Sequence, residues 1–372
     1  MNKNATSCID TICTHQSPPH HLPTKLSTRE DIVDVLKGIG ILAVIAGHCD
    51  FPLLLGISPY AFHMPLFFFI SGFFLNFKRG HLPFIENKVE RLLVPYYKYW
   101  LVCALLCWLL HWTNVPFTHS FTLSNTFTFD NFLKWPFLHG HQFGFILPMW
   151  FVTTLFVVMV LISFTRKILT WSVLSRSHAI FSFVFFFLLC QLITSISTPW
   201  RVDSTIAYMC KIGLAWTFVC MGYISWRHRD FFLRDSFVLY GTVLFALLVW
   251  NYNPYYIMSW TELGEGCIKH FFPLISITGV YFTFFIANSV KTLHWLKKML
   301  CYCGIKSFHI MAIHLLVFFV FNLVLTLLPQ YHLQQVEGVF SRLNGVAPIW
   351  YFLFGTAFSL LLCQLYDRYV IK

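Results

Sequence analysis

Three ionisable residues, Asp34, Lys37 and His48, are spaced through one apolar run, Arg29 to His48, REDIVDVLKGIGILAVIAGH. At 100° per residue, Lys37 and His48 fall within ~20° of one helix face and about 16 Å apart along its axis. Ionisable side chains are costly inside a bilayer and face a partner or a wet cavity, so the stripe marks chemistry or transport. An imidazole suits proton transfer near neutral pH, and an ammonium suits an anion. A second cluster follows in Phe62-His63-Met64-Pro65-Leu66-Phe67-Phe68-Phe69-Ile70-Ser71-Gly72-Phe73-Phe74. His48 ends the first apolar run and His63 starts the second, so a short hairpin brings both to a similar depth. A shared site and a separate interfacial histidine both fit His63. Pro65 removes a backbone donor beside it, and Ser71-Gly72 lets another helix approach closely. Lys88 and Arg91, one turn apart, either flank a span in the ordinary way or bind phosphate together with Lys37.

These residues must be positioned by membrane helices. The chain of 372 residues is 57% hydrophobic and only 11% charged, with a mean hydropathy of +0.66, well outside the soluble globular range. Apolar runs long enough to cross ~30 Å of hydrocarbon recur at about 32–49, 59–77, 94–112, 146–164, 178–196, 206–226, 235–252, 271–290, 306–328 and 347–366. The expected fold is therefore all-α, a polytopic integral membrane protein of about ten transmembrane helices. Residues 29–372 form a single membrane-embedded domain, preceded by a mobile tail over residues 1–28. That tail lacks the apolar core and cleavage site of a signal peptide. Ser27 and Thr28 with Glu30 and Asp31 form a capping box that starts the first helix.

Lysine and arginine set the orientation. With the N-terminus inside, 18 of the 26 fall in inside segments and four outside, so both termini are expected in the cytoplasm. The net charge of +11 follows from this asymmetry and gives no reason to invoke nucleic acid. The cysteines show no metal or disulfide spacing and read as packing residues. His139-Gly140-His141 has no acidic or cysteine partner at useful spacing, so no metal is expected. The loop around it, with Asp130 and Trp135, reads as a lid or acceptor-facing segment. Lys211 reads as a structurally paired lysine of the sixth span.

In this order, the motifs resemble the acyltransferase-3 family of integral-membrane O-acyltransferases, in particular the fucose 4-O-acetylase-like branch. The first helix matches in Asp34, Lys37 and Gly47-His48, and the second in Phe62 to Phe74. Lys88 and Arg91 precede Pro95-Tyr96, Met149-Trp150-Phe151 opens a later helix, and Gly304-Ile-Lys-Ser307 stands before His314. Many relatives carry arginine where this chain has Lys37 and Lys88; lysine keeps the charge without bidentate geometry.

The resemblance implies a multi-pass protein of the cytoplasmic (inner) membrane that moves an acyl group, most simply acetyl, from cytoplasmic acyl-CoA to a hydroxyl of an extracytoplasmic glycan. Acetyl-CoA would be a co-substrate, and the acceptor a surface polysaccharide or lipid-linked sugar. It further implies His48, His63 and Asp34 at the reacting centre, Lys37, Lys88 and Arg91 on the donor's phosphates, and Trp150, Ser307 and His314 along the substrate. A sugar hydroxyl needs a general base to attack a thioester at neutral pH, and His48 suits that role, with His63 orienting the acceptor or stabilising the oxyanion. Direct transfer and an acyl-histidine intermediate both remain open. A secondary transporter of a polar or glycan-related solute is the alternative from the residues alone, although no internal repeat is evident.

Overall fold

The structure is a computed structural model describing residues 28–53, 57–78, 80–112, 130–138, 144–197, 205–252, 268–329, 342–343 and 345–369. Its regular elements are all helical, with no strand among the described residues. Helix α1 (Thr28–His48) leads through a 3-10 turn (Pro59–Ala61) into α2 (His63–Phe73). Next come α3 (His81–Lys88), a π turn (Val89–Leu93) and α4 (Val94–Trp112) in one continuous run. The π turn falls just ahead of Pro95, whose ring nitrogen cannot serve the carbonyl of Arg91 in a regular helix.

The remaining long helices are α5 (Trp150–Ser172), α6 (Arg176–Ser197), α7 (Thr205–Arg227) and α8 (Asp235–Tyr252). They are followed by α9 (Ile268–Ser289), α10 (His294–Ile305), α11 (Ser307–Leu325) and α12 (Pro348–Tyr369).

Seven of the described helical runs are long and apolar enough to cross a membrane: α3–α4, α5, α6, α7, α9, α11 and α12. Each of the ten expected segments contains helix, but three lie outside that set for legible reasons. Asp31, Asp34 and Lys37 interrupt the apolar window of α1. At 11 residues, α2 is only about 16 Å long, roughly half the hydrocarbon thickness. The apolar stretch of α8, Asp235–Asn251, is shorter than the others. Phe164, Phe181, Leu188 and Trp250 lie exposed on α5, α6 and α8; apolar surface on this scale belongs against lipid. The expected tail, with Ser27, lies outside the described residues, as do His139 and His141.

Two glycine-lined crossings fix the core. Where α1 meets α10, a Cβ on Gly38 would run into the carbonyl oxygen of Leu300, and one on Gly304 into that of Asp34. Where α2 meets α7, a Cβ on Gly72 would strike the Val219 carbonyl, and one on Gly222 the Phe69 carbonyl. In both crossings each helix contributes a glycine that lies against the backbone of the other, so the two approach closely. The close approach anticipated at Gly72 is thus made against α7. The polar start of α1 is matched by α10 as well: buried Asp31 pairs with Lys297, which offsets the cost of placing a carboxylate inside the bundle.

Candidate active site

The two ends of α1 carry two different groups of residues. At its C-terminal end, His48 Nδ1 lies 2.6 Å from Nε2 of His314 on α11. The rings are parallel, with centroids 4.9 Å apart. A centroid separation that exceeds the N···N contact by two ring radii means the rings lie end to end in one plane and are hydrogen bonded through their edges. His314 is fully buried, and its Nδ1 donates to the Ile310 carbonyl one turn back, at 3.0 Å. Phe318 stands perpendicular to the His314 ring, centroids 5.9 Å apart, and is itself seated over Gly355 of α12.

His63 begins α2 and is buried. Its Nδ1 donates to the Pro59 carbonyl at 2.6 Å, and it is near enough to His48 for their charges to interact. Tyr60 ties the hairpin together. Its hydroxyl donates to the Gly47 carbonyl at 3.1 Å, and its ring lies edge-on to His63 at 5.2 Å. Three histidines from α1, α2 and α11 therefore meet at one level of the bundle, each of two of them bonded to a backbone carbonyl.

About 16 Å down α1, Lys37 donates to Asp34 at 3.2 Å and lies over the exposed Phe74 ring at 5.0 Å. Both line a cavity of about 560 Å³, together with Val33, Phe73, Trp226, Arg227 and Arg229. Arg227 donates to the Leu75 carbonyl at 3.3 Å and covers Tyr223. Arg229, in the short helical turn Arg229–Phe232, lies 5.9 Å over Trp226, which stacks on Phe73 at 4.4 Å. Three cations and one carboxylate thus face a space walled by aromatic rings, a combination suited to a polyanion with an aromatic or apolar portion.

The residues singled out from sequence distribute unevenly. His48, His63 and His314 come together. Asp34 does not join them; it lies at the opposite end of α1, bonded to Lys37. Lys88 does not line the Lys37 cavity: its ammonium lies over Phe84 at 5.2 Å, and Phe84 packs against Phe77, whose ring lies 5.5 Å from Tyr223. Arg91 is exposed on the π turn. Trp150 is buried at the head of α5, its ring 6.4 Å from Phe68 of α2. Ser307 starts α11, about 10 Å along the helix from His314. Lys211 is buried on α7.

The match to known proteins fits this arrangement. A family model described as an acyltransferase domain, Acyl_transf_3, matches residues 30–368. The chain belongs to the acyltransferase-3 family. No curated protein and no solved structure matches it. Membership makes this a membrane acyltransferase, a protein with an acyl donor and an acceptor. The match covers nearly all of the described helices, so both ends of α1 belong to the acyltransferase domain.

Three further residues stand at the two ends of α1: Arg227 and Arg229 at the cavity, and Tyr60 beside His63. Arg227 and Arg229 follow an apolar span and were counted only as orienting charge; nothing in their spacing separates a cavity-lining arginine from a flanking one. Tyr60 did leave a signal, an aromatic hydroxyl three residues before His63 in the turn of the hairpin.

Proposed function

We propose that this acyltransferase moves an acetyl group from cytoplasmic acetyl-CoA to a hydroxyl of an extracytoplasmic glycan or lipid-linked sugar, as the fucose 4-O-acetylase-like resemblance suggests. The observation that carries the proposal is that one helix, α1, holds a cation in an anion-suited cavity at one end and a histidine cluster at the other. With the termini in the cytoplasm of an inner-membrane protein, the Lys37 cavity opens inward and the histidines lie toward the outer face.

Coenzyme A is a polyphosphate with a long slim arm ending in a thioester. In this reading Lys37, Arg227 and Arg229 hold the phosphates, and Asp34 holds the Lys37 ammonium in place. Lys88 and Arg91, outside the lining of that cavity, form a further basic patch that draws the donor in. The pantetheine arm follows α1 over the ~16 Å to His48.

The reaction needs a base because a sugar hydroxyl is a poor nucleophile at neutral pH. His48 takes the hydroxyl proton as the oxygen attacks the thioester carbonyl; the C–S bond breaks, and the thiolate recovers that proton. His63 orients the acceptor. Its Nδ1–H is committed to the Pro59 carbonyl, so in the neutral ring Nε2 accepts a hydrogen bond from a sugar hydroxyl and cannot donate one to an oxyanion. Trp150 and Ser307 are assigned to substrate contact from the resemblance.

The test is alkali-labile O-acetyl content of surface glycans in a deletion strain, in one restored with the wild-type protein, and in one restored with His48→Ala at matched membrane abundance. The expected pattern is acetyl lost, regained, and absent again. Equal acetyl content in all three strains would overturn glycan acetylation by this protein.

A further inference from the structure

We propose that His314, 266 residues from His48 in the chain, is a positioning residue that selects which nitrogen of His48 acts as the base. The inference rests on the reading of His48 as base and adds the device that prepares it.

The hydrogen bonds fix every proton in turn. The Ile310 carbonyl can only accept, so the proton on His314 is at Nδ1. In the neutral ring, His314 Nε2 is then an acceptor. The 2.6 Å contact requires a hydrogen between the two nitrogens, and His48 Nδ1 must supply it. Neutral His48 therefore carries its proton at Nδ1 and its lone pair at Nε2. The chain runs from the Ile310 carbonyl through His314 to His48, and it puts the His48 lone pair on Nε2, the nitrogen that takes the hydroxyl proton in this reading.

Several contacts give this arrangement its rigidity. The coplanar rings align the donor hydrogen with the acceptor lone pair. The perpendicular Phe318 ring backs His314, and Phe318 has no room to retreat because it is seated on Gly355. On the other strand of the hairpin, Tyr60 bonds the carbonyl of Gly47, the residue before His48. A base held in one tautomer and one plane needs no reorganisation when substrate arrives, which is the role an orienting carboxylate plays for histidine elsewhere. A second imidazole does the same without adding a charge to the interior of the bundle.

As the acceptor oxygen forms its bond to the acyl carbon, its proton passes to His48 Nε2. The electron pair of the C–S bond goes to sulfur, and the same proton then neutralises the thiolate. Throughout, His48 Nδ1–H stays on His314 Nε2, so the imidazolium formed in passing keeps a hydrogen-bond acceptor.

The experiment compares His314→Ala, His314→Gln and His48→Ala in nanodiscs. Transfer is read as radiolabelled acetyl moving from acetyl-CoA to alkali-labile material in added membrane glycolipid, and donor binding is measured separately. A glutamine amide can donate to the Ile310 carbonyl and accept from His48 Nδ1–H, whereas alanine can do neither. His314→Ala should lower transfer about a hundredfold at unchanged acetyl-CoA affinity, and His314→Gln should recover it to within about tenfold of wild type. In 15N-histidine spectra, the resonance that disappears in His48→Ala should report an Nδ1-protonated ring in the wild type and in His314→Gln. In His314→Ala it should change to the Nε2-protonated form.

Glutamine no better than alanine, or an Nε2-protonated His48 in the wild type, would overturn the positioning role. Transfer that survives His48→Ala would instead overturn His48 as base. The spectra test the tautomer even then, so the two failures are distinguishable.

Discussion

The two ends of α1 are built on opposite principles. At Lys37, the side chains are part-exposed, the charges face a cavity of about 560 Å³, and the arginines are held loosely by one carbonyl and by aromatic faces. At His48, the neighbouring imidazoles are buried, and hydrogen bonds of 2.6–3.0 Å run through them to the carbonyls of Ile310 and Pro59. The first end can adapt to a large anionic ligand that must enter and leave. The second holds a few atoms in fixed positions, as proton transfer requires. In the proposed function, recognition and chemistry share one helix and differ in rigidity, which requires the helix itself to be fixed in place. The glycine crossing with α10 supplies that rigidity.

The largest effect should come from a change that breaks both ends together. Gly304→Val pushes side-chain atoms into the Asp34 carbonyl, and a backbone atom in a crossing cannot step aside. We expect a cost of about 3 kcal/mol, read as a lower melting temperature in detergent, with donor binding and transfer lost in parallel. Retention of either one alone would show that the two ends do not depend on a common placement of α1.

Next in size is a change confined to the rigid end. His63→Ala should reduce transfer about a hundredfold while the KM for acetyl-CoA stays within about twofold. A matching rise in donor KM would mean that the histidine end also binds the donor.

A change confined to the open end should have the converse signature. Arg227→Ala and Arg229→Ala are each expected to raise the KM for acetyl-CoA about tenfold, the scale of one charge-assisted phosphate contact, with kcat little altered. Loss of kcat without a change in KM would remove these arginines from the donor site.

The smallest effect is expected outside both ends. Lys88→Ala should raise donor KM about twofold at low ionic strength, and the effect should fade in high salt because the field of a distant charge is screened. A salt-independent effect would instead argue that Lys88 touches the donor directly.

Legibility from sequence followed the reach of local geometry. The apolar runs fix where helices form, and each expected segment contains one. The length of α2 was misjudged, because apolar composition continues past Phe73 while the chain turns at Phe74 and Leu75. Asp34 was grouped with His48 because both lie in one run, although 14 residues of helix separate them by about 21 Å. Charge and depth place Lys88 and Arg91 with Lys37, but depth does not say which cations line one cavity, and neither lines that of Lys37.

Residue order alone carries the membrane class, the all-helical architecture, and the placement of Lys37 and His48 on one helix face. All of these follow from residue type and a fixed rise and turn per residue. Helix packing brings Arg227 and Arg229 to the Lys37 cavity, seats α1 on Gly304 and brings His314 to His48. Those depend on which helices cross and how closely, and the crossings are set by glycines that lie against the backbone of a helix far away in the chain, which no local period records.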